Sequence, residues 1–391
     1  MSVREPGVGL YVHFPYCAVR CTYCDFNTYL TDAIPGAAYY DAVAAEAERR
    51  TPDFADWPLR TIYFGGGTPS LWGAEYVGRL IQAAARWFPK RRTGIEITLE
   101  CNPGEATPEL LAAYRDVGVT RLSLGVQSLD DTILGRLARR HTAREALDGL
   151  ENALATGFTS VSADLMFALP GQDLNRWSTD LAALAQRGVP HLSLYQLTLE
   201  PGTAMTREVN AGRLQLPDED VQAAMWDAVD DVAERYDMPR YEISNLAIRG
   251  HESQHNSAYW LGFPYLGLGA GAHSFRPPQT WSPDSVAVRS SNRKHHTTYS
   301  KQSSAGESVT VFSEDIDRTT HLRERMFTGL RHLRGLNLET MAHELGVDPA
   351  VEFEQALAWL QEQNLVTVDG SVARLTSRGV RMADSVSEKF F

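Results

Sequence analysis

Three cysteines lie close together near the start of the chain. Cys17, Cys21 and Cys24 have the spacing Cys-x₃-Cys-x₂-Cys, and Cys101 is the only other cysteine in the sequence. A [4Fe–4S] cluster normally takes four thiolates, so a protein that supplies three leaves one iron open to a small molecule. The spacing therefore predicts an iron–sulfur cluster with one open iron.

Other uses of these thiols explain the pattern less well. A structural zinc site closes with four ligands in separated pairs, and His13 is the only further candidate nearby. Disulfide frameworks belong to small secreted chains, whereas this chain has 391 residues. Cys101 follows Glu100 in a predicted strand, so the two side chains should face opposite ways. We interpret Cys101 as a small core residue.

Composition limits what the chain can be. Its 391 residues are 43% hydrophobic and 22% charged, which suits a large domain with a smaller one. The formal net charge of −12 argues against extensive nucleic-acid binding. No apolar run is long enough to span a membrane, and MSVREPGVGL lacks the pattern of a signal peptide. We predict a soluble cytoplasmic protein that is not an integral membrane protein.

The first part of the chain alternates short apolar segments with amphipathic ones. Strands are predicted to begin near six residues: Gly9, Thr61, Glu96, Arg121, Ser160 and His191. Strands that alternate with helices form βαβ units and a parallel sheet. Six such units predict an α/β fold with a partial (β/α)₆ barrel over residues 1–240. Its chemistry should lie at the carboxyl ends of the strands, where the cysteine loop follows the first strand.

The remaining chain divides in two. Residues 241–316 are predicted to extend the barrel and contain YEISN, which indicates a strand, and GLGAGAH, which indicates a turn and a close-packed strand. The polar stretch from Arg276 to about Ser313 is interpreted as a long exposed loop. Residues 317–391 predict helices followed by a hairpin at Asp369-Gly370, as in a winged helix. DNA binding is one use of such a domain, and a docked cap fits the acidic charge better.

Polar residues follow several of the predicted strands. TIYFGGGTPS ends one strand in three glycines, which allow a backbone to approach a ligand closely. Glu100 and Gln127 end two further strands, Asp164 lies in the next, and Arg139 lies in a following helical region. Together they would give one barrel mouth the hydrogen-bonding groups that a polar cofactor requires.

With these motifs the chain resembles the radical S-adenosylmethionine (SAM) superfamily. The cysteine spacing and the GGGTP loop carry the resemblance to the superfamily. YVHFPYC, ECNPG, LSLGVQS, DLMFALPGQ and YEISN extend it, over nearly the whole chain, to the branch that resembles oxygen-independent coproporphyrinogen III oxidase. The resemblance implies that Cys17, Cys21 and Cys24 hold a [4Fe–4S] cluster and that SAM binds its fourth iron.

The resemblance also assigns residues to SAM. The residues matched to the contacts of the first molecule are Tyr11, Gly66, Gly67, Thr68 and Glu100. Those matched to a second SAM molecule, as in the oxidase, are Gln127, Arg139, Asp164 and, nearby, Tyr23. No residue is assigned a catalytic role.

Two departures separate the chain from the oxidase. The oxidase has a fourth cysteine where this chain has Phe26, and a longer segment before its cluster. Both features resemble the heme chaperones of the HemW family, as does the HNxxYW motif that begins at His255. Imidazole is a natural axial ligand of heme iron, so His255 is predicted to contact heme. The alternative is a structural turn with a hydrogen-bonded histidine and buried aromatic rings. HemW proteins usually have arginine before that histidine, and this chain has Gln254.

The leading hypothesis is therefore a HemW-like heme chaperone. Its cofactors would be a [4Fe–4S] cluster and SAM, and its partners would be heme and heme-accepting proteins such as respiratory enzymes. The alternative is an enzyme that decarboxylates coproporphyrinogen III oxidatively. A DNA-binding regulator with a redox cluster is a third interpretation, which rests on the C-terminal domain alone.

Overall fold

The computed structural model describes residues 7–391. The strands of the barrel sheet and the cysteine loop are β1 (Val8–Phe14), β2 (Tyr16–Cys17), β3 (Tyr29–Leu30), β4 (Leu59–Gly66), β5 (Arg91–Cys101), β6 (Arg121–Gln127), β7 (Ser160–Phe167), β8 (His191–Gln196), β9 (Arg240–Glu242), β10 (Asn245–Ala247), β11 (Tyr265–Leu268), β12 (His273–Arg276), β13 (Ala287–Asn292) and β14 (Thr310–Ile316). The C-terminal strands are β15 (Leu336–Asn337), β16 (Val366–Asp369) and β17 (Val372–Leu375).

Helices separate these strands. The α-helices are α1 (Gly36–Arg50), α2 (Ala74–Trp87), α3 (Pro108–Asp116), α4 (Asp131–Arg136), α5 (Ala143–Thr156), α6 (Leu174–Gln186), α7 (Ala204–Asn210), α8 (Glu219–Arg235), α9 (Gln254–Trp260), α10 (His296–Ser304), α11 (Arg318–Gly329), α12 (Leu338–Leu345), α13 (Pro349–Glu352), α14 (Glu354–Glu362), α15 (Ser377–Arg381) and α16 (Ala383–Ser387). Short 3₁₀ turns cover Thr51–Phe54, Pro69–Leu71, Pro103–Glu105 and Glu388–Phe390. Among residues 7–391, no helix is both long and apolar enough to cross a lipid bilayer.

Six adjacent parallel strands form the centre of the molecule. They follow the order β1-β4-β5-β6-β7-β8, and each pair of neighbours is parallel. On the other side of β1, β11 adds a further parallel strand, and β12, β13 and β14 continue the sheet antiparallel. β10 and β9 complete the sheet beyond β8. The described strands β14 and β9 are its two edges, so the sheet stays open. The predicted partial barrel is confirmed.

Successive side chains along each strand point to opposite faces of the sheet, one apolar and one polar. In β6, Leu122, Leu124 and Val126 are buried in the main apolar core with the surrounding helices. The intervening Ser123 and Gly125 face the inside of the barrel, where they line a cavity. A period of two follows from the pleat of an extended chain. Burial of the apolar face stabilises the sheet, and the polar face is left for a ligand.

The predicted long loop from Arg276 to Ser313 is wrong. This segment contains β13, α10 and the start of β14. β13 pairs with β12 along four residues, from His273↔Ser291 to Arg276↔Val288. Its polar sequence folds because neighbouring strands satisfy its backbone hydrogen bonds. Buried side chains of α1 hold α10, the helix of this segment, in place. YEISN, predicted as one strand, forms parts of the two short strands β9 and β10.

The C-terminal residues pack around an apolar core of their own. Leu322, Met326, Leu360 and Phe390 are among its fully buried members. A three-stranded antiparallel sheet in the order β15-β17-β16 lies with helices α11 to α16. Gly370, at φ +58°, forms the predicted hairpin turn between β16 and β17. The predicted helical, winged-helix-like character of this region is confirmed.

Candidate functional site

A cavity of about 620 Å³ opens at the carboxyl ends of the parallel strands. Most of the site residues predicted from the sequence line it. These are Cys17, Cys21, Tyr23, Cys24, Gly66, Gly67, Thr68, Glu100, Gln127, Arg139 and Asp164. Tyr11 and His255 are not among the lining residues. The topology thus brings residues from five separate βα units to one place.

The three cysteines are free thiols on the loop after β1, and all are partly exposed to the cavity. The Thr68 hydroxyl lies 3.7 Å from Cys17 Sγ, and Arg139 Nη1 lies 3.5 Å from Cys21 Sγ. Burial raises the pKa of Cys17 to about 11 and also raises the pKa of Cys24. A metal centre that binds thiolates would have to displace these protons, and its positive charge would favour that.

The arrangement fits a cluster better than a single ion. Among residues 7–391, no three His, Cys, Asp or Glu side chains converge closely enough to hold one metal ion. An iron–sulfur cube takes its thiolates at different irons, so its ligands lie further apart than around zinc. Cys101 is 5% exposed and belongs to the apolar core, as predicted. The donor set therefore fits a cluster held by three thiolates.

The glycine loop after β4 requires residues without side chains. A Cβ on Gly67 would lie 2.5 Å from the carbonyl oxygen of Tyr16 and 3.0 Å from Cys17 Sγ. Gly66 has φ +112° and would place a Cβ 2.5 Å from the His13 ring. These contacts let the loop pack directly against the cysteine segment. The backbone of both segments is therefore available to a ligand in the cavity.

Glu100 is the carboxylate nearest to this loop. Its Oε2 accepts a hydrogen bond from the Gly66 N–H at 3.1 Å, and its Oε1 accepts one from the Tyr63 hydroxyl at 2.7 Å. Burial raises the pKa of Glu100 to about 7, and the charge of Asp164 adds to that shift. Glu100 can therefore accept or donate hydrogen bonds near neutral pH, which suits contact with a polar ligand.

The raised pKa of Glu100 predicts a pH-dependent stability. Between its ordinary pKa and about 7, the folded chain keeps a proton on Glu100 that the unfolded chain has released. The folded state binds more protons, so raising the pH through this window lowers its stability. Between about pH 5 and about pH 7.5, we expect the free energy of unfolding of the wild type to fall by on the order of 2 kcal/mol relative to that of Glu100→Gln.

Denaturant unfolding of both chains across that pH range measures the effect. Glu48→Gln changes an exposed carboxylate and is the matched control, which should follow the wild type throughout. Parallel stability curves for wild type and Glu100→Gln would contradict the assignment.

Arg139 links the cysteine loop to the strand ends. Its Nη2 donates to the carbonyl oxygen of Gly125 at 2.6 Å and to Asn102 Oδ1 at 2.7 Å. Asn102 also donates to the Thr68 hydroxyl at 3.3 Å. Gln127 ends β6 in the left-handed conformation at φ +66°, which is uncommon for residues other than glycine. These bonds fix the guanidinium beside Cys21, so a positive charge faces the cavity.

Asp164 is the second buried carboxylate of the cavity. The Ser123 hydroxyl donates to it at 2.9 Å, and Ser162 lies 3.3 Å from it. Ser162 also bonds His191 Nδ1 at 2.7 Å, and His191 Nε2 bonds the Tyr241 hydroxyl at 2.9 Å. Burial raises the pKa of Asp164 and lowers that of His191. The floor of the cavity is a connected polar network.

Most of this network was not predicted from the sequence. The cavity residues without a predicted role include Asn102, Arg121, Ser123, Ser162, His191 and Ser193. A signal was present, because polar residues occupy alternate positions of β6, β7 and β8. That pattern indicates a polar inner face of the barrel. Asn102 lies in ECNPG, which contributed to the family resemblance without a role of its own.

The two tyrosines assigned to SAM lie in different places. Tyr23 lines the cavity beside Cys21, and burial raises its pKa. Tyr11 lies in β1, where its hydroxyl hydrogen-bonds His13 Nδ1 at 3.0 Å and its ring stacks on Tyr63. Tyr63 in turn bonds Glu100. Tyr11 therefore lies behind the cavity wall, and its contact with SAM stays a prediction.

His255 is buried rather than open to a ligand. Its Nδ1 lies 2.7 Å from the Thr61 hydroxyl, and its Nε2 lies 2.9 Å from the Tyr259 hydroxyl. The side chain is 2% exposed, and burial lowers its pKa to about 3. This arrangement matches the alternative interpretation of the motif, a hydrogen-bonded structural histidine among buried aromatic rings. Heme ligation by His255 would require the hydrogen bond at the ligating nitrogen to break, because heme iron needs a free nitrogen lone pair.

Comparisons with known proteins agree with this fold. The family model for the radical SAM superfamily matches residues 11–183, and the model for the HemN C-terminal domain matches residues 316–382. The solved structure of coproporphyrinogen III oxidase (HemN) from Escherichia coli has a TM-score of 0.81 and 21% identity. The matched region covers 99% of this chain and 90% of the Escherichia coli chain. At that identity the likeness shows the fold alone.

Curated relatives are more similar in sequence. The "Heme chaperone HemW" of Lactococcus lactis is 32% identical over 97% of this chain and 96% of the relative. Its counterpart in Mycobacterium tuberculosis is 34% identical over 97% and 93%. "Radical S-adenosyl methionine domain-containing protein 1, mitochondrial" of Bos taurus is 41% identical over 69% of this chain and 61% of that protein.

An open parallel barrel with three clustered cysteines at its mouth defines the class of radical SAM proteins, and the superfamily match agrees. Membership of that class implies a [4Fe–4S] cluster and SAM. Relatives above 30% identity span nearly the whole chain. Within the class, the chain belongs to the HemW family.

Proposed function

We propose that this chain is a heme chaperone, which binds heme and transfers it to heme-accepting proteins such as respiratory enzymes. The observation that carries the proposal is full-length similarity to relatives named heme chaperones, including the Lactococcus lactis protein at 32% identity. We further propose that it works in the cytoplasm. Nucleic acid is not expected as a partner, because the net charge of −12 repels phosphate.

The cavity residues divide into two proposed tasks. Cys17, Cys21 and Cys24 would hold the [4Fe–4S] cluster, which supplies one-electron chemistry to SAM when both are bound. The Gly66-Gly67 backbone, Thr68 and Glu100 present hydrogen-bonding groups beside those cysteines, which supports their role in holding SAM. The cluster and SAM would control heme transfer or the oligomeric state of the chain. This role does not require catalytic turnover.

The far side of the cavity offers further polar groups. A second SAM would contact Gln127, Arg139, Asp164 and Tyr23, which all line the same space. The fixed guanidinium of Arg139 is suited to a carboxylate such as the one that SAM carries. Occupation of this second position is a proposal of its own, and the heme chaperone function does not depend on it.

Oxidation of coproporphyrinogen III is the rival function. The fold likeness to the Escherichia coli oxidase is compatible with it. The residue two positions after Cys24 argues against it, because Phe26 stands where the oxidase carries a further cysteine. Phe26 lies at the cavity, and its side chain is 61% exposed. It offers apolar surface in place of a thiol.

Heme titration of the purified chain tests the proposal. We expect stoichiometric binding with a Soret band, measured on protein with and without its cluster. A parallel anaerobic incubation with dithionite, SAM and coproporphyrinogen III should leave the porphyrinogen unchanged. Absence of stoichiometric heme binding would defeat the chaperone function, and robust decarboxylation would establish the oxidase instead.

A further inference from the structure

A second cavity lies between α9, the strands β11 and β12, and α11. Its volume is about 140 Å³, and none of its described lining residues borders the main cavity. Helix α11 contributes His321, Glu324 and Arg325 to its lining. Five aromatic side chains also line it: Tyr259, Trp260, Phe263, Tyr265 and Phe275. The cluster and SAM belong to the main cavity, so the proposed function leaves this second one unexplained.

His321 is a buried imidazole at this cavity, with 3% of the residue exposed. Its ring stacks on Phe275 at 5.5 Å and on Trp281 at 4.8 Å between centroids. Among residues 7–391, His321 Nδ1 has no hydrogen-bond partner, whereas buried polar groups normally have one. Burial, with the charges of Arg325 and Arg289, lowers the pKa of His321 to about 3. The imidazole is therefore neutral and carries one N–H donor.

Two further donors at the cavity lack an acceptor. Trp260 Nε1 and Arg325 Nε are buried and have no hydrogen-bond partner within the part of the chain that the structure describes. An indole N–H and a guanidinium N–H donate and cannot accept. Arg325 packs against Gly262, where any side chain would collide with it, and its Nη1 donates to Glu344 at 3.2 Å. These contacts hold the guanidinium in place, so a ligand of this cavity has to bring the acceptor.

The charged residues at the cavity leave an excess of positive charge. Its lining includes two arginines, Arg289 and Arg325, and the carboxylate of Glu324, which accepts a hydrogen bond from Arg289 Nη2 at 2.7 Å. Glu314 and Glu344 pair with these arginines from outside the lining, and their side chains are 41% and 46% exposed. Exposed carboxylates compensate a charge weakly, because water screens them. A negatively charged acceptor would therefore bond more strongly here than a neutral one.

The size and the walls of the cavity set the rest of the ligand. A cavity of about 150 Å³ is large enough for one benzene ring, and aromatic rings pack favourably on one another in offset or edge-to-face arrangements. The positive charge argues against a bound cation. No three metal-ligating side chains converge among residues 7–391, which argues against a cation as well. One flat ring that carries a negative acceptor matches both the walls and the donors.

We propose that this cavity binds a small aromatic carboxylate of about the size of benzoate. The carboxylate accepts hydrogen bonds from Trp260 Nε1, Arg325 Nε and the His321 N–H, and the ring packs among the aromatic side chains. The inference goes beyond the proposed function and does not depend on it. Helix α9 borders both cavities, because its Asn256 lines the main one. A ligand in the second cavity therefore contacts a helix of the main site.

Ligand-observed NMR titration of the full-length chain tests the chemistry of the site. Benzoate should bind saturably, with one site per chain. Benzamide keeps the ring and an acceptor but lacks the charge, and acetate keeps the charge but lacks the ring. We expect the affinity of each to be about tenfold lower than that of benzoate, or lower still. Benzamide that binds as tightly as benzoate, or benzoate that does not saturate, would overturn the inference.

Two substitutions locate the site. Trp260→Phe removes the indole N–H and keeps an aromatic ring, and His321→Phe removes the imidazole nitrogens and keeps a ring that can stack on its neighbours. Each should lower the affinity for benzoate about tenfold, because each removes one hydrogen bond to a charged group. Trp359→Phe changes an exposed tryptophan on α14 and is the matched control. That control should bind benzoate like the wild type.

Benzoate binding that is unchanged in both cavity variants would show that the ligand sits elsewhere, and this would overturn the inference. Because the main cavity is separate, failure of benzoate to bind would leave the heme chaperone proposal intact. A chain that binds benzoate as expected but binds no heme would support this inference and defeat the proposed function.

Discussion

Replacing Cys21 with serine is expected to abolish the iron–sulfur cluster. A cube held by three thiolates has no spare protein ligand, and a serine hydroxyl is a much poorer ligand for iron in such a cluster. Cys17, Cys21 and Cys24 all line the same cavity, so the two remaining thiolates would leave a second iron unsupported. Anaerobic reconstitution should therefore yield protein with close to no bound iron or sulfide.

Iron and sulfide analysis, together with the broad absorbance of thiolate-bound clusters at about 400 nm, measures this loss. Cys101→Ser is the matched control, because Cys101 is buried in the core and its thiol donates to the Asn102 carbonyl oxygen at 3.3 Å. A serine can keep that bond, so the control should retain full cluster content. A Cys21→Ser protein with unchanged iron and sulfide would show that the ligand assignment is wrong.

Replacing Glu46 with alanine is expected to destabilise the fold strongly. The Glu46 carboxylate is fully buried and accepts four hydrogen bonds. Its donors are Asn292 Nδ2 at 2.7 Å, Arg50 Nη1 at 3.0 Å, the Gly269 N–H at 2.9 Å and the Tyr299 hydroxyl at 2.6 Å. Alanine would leave these groups without their acceptor. Removing one partner of a buried charged network costs about 3–5 kcal/mol.

Denaturant unfolding followed by fluorescence measures the change in the free energy of unfolding. Glu48→Ala removes an exposed carboxylate from the same helix, and it should change stability by less than about 0.5 kcal/mol. Hydrogen exchange should locate the Glu46→Ala effect in α10 and in the β12–β13 pair. Equal stabilities for the two variants would show that this network does not hold the segment.

Glu46 also explains where sequence reasoning failed. The stretch from Arg276 to Ser313 is polar and has little periodicity, which favours a loop when it is considered alone. Its order depends on Glu46 and Arg50, which lie more than two hundred residues earlier in the chain. β13 pairs with β14 from Ala287↔Ile316 to Asn292↔Thr310, so its backbone is satisfied without an apolar pattern. Long-range contacts of this kind leave no local signal.

The HNxxYW motif shows the same limit at a single residue. The sequence can place an imidazole near aromatic rings, but it cannot say whether the ring nitrogens are free. Tyr259 lies one turn after His255 in the same helix, α9, whereas Thr61 belongs to β4 and bonds His255 only after β4 and α9 pack together.

The sequence by itself determined the parallel strands, the cysteine loop after β1 and the superfamily. Each of these depends on local information: the period of the apolar residues, the spacing of the cysteines and the glycines after β4. Only the tertiary structure decided which polar groups meet in the cavity, which histidines are buried and how residues 276–313 are held. Those outcomes depend on pairings between residues far apart in the chain, and the free energy of such pairings is set by burial and hydrogen bonding in the folded state.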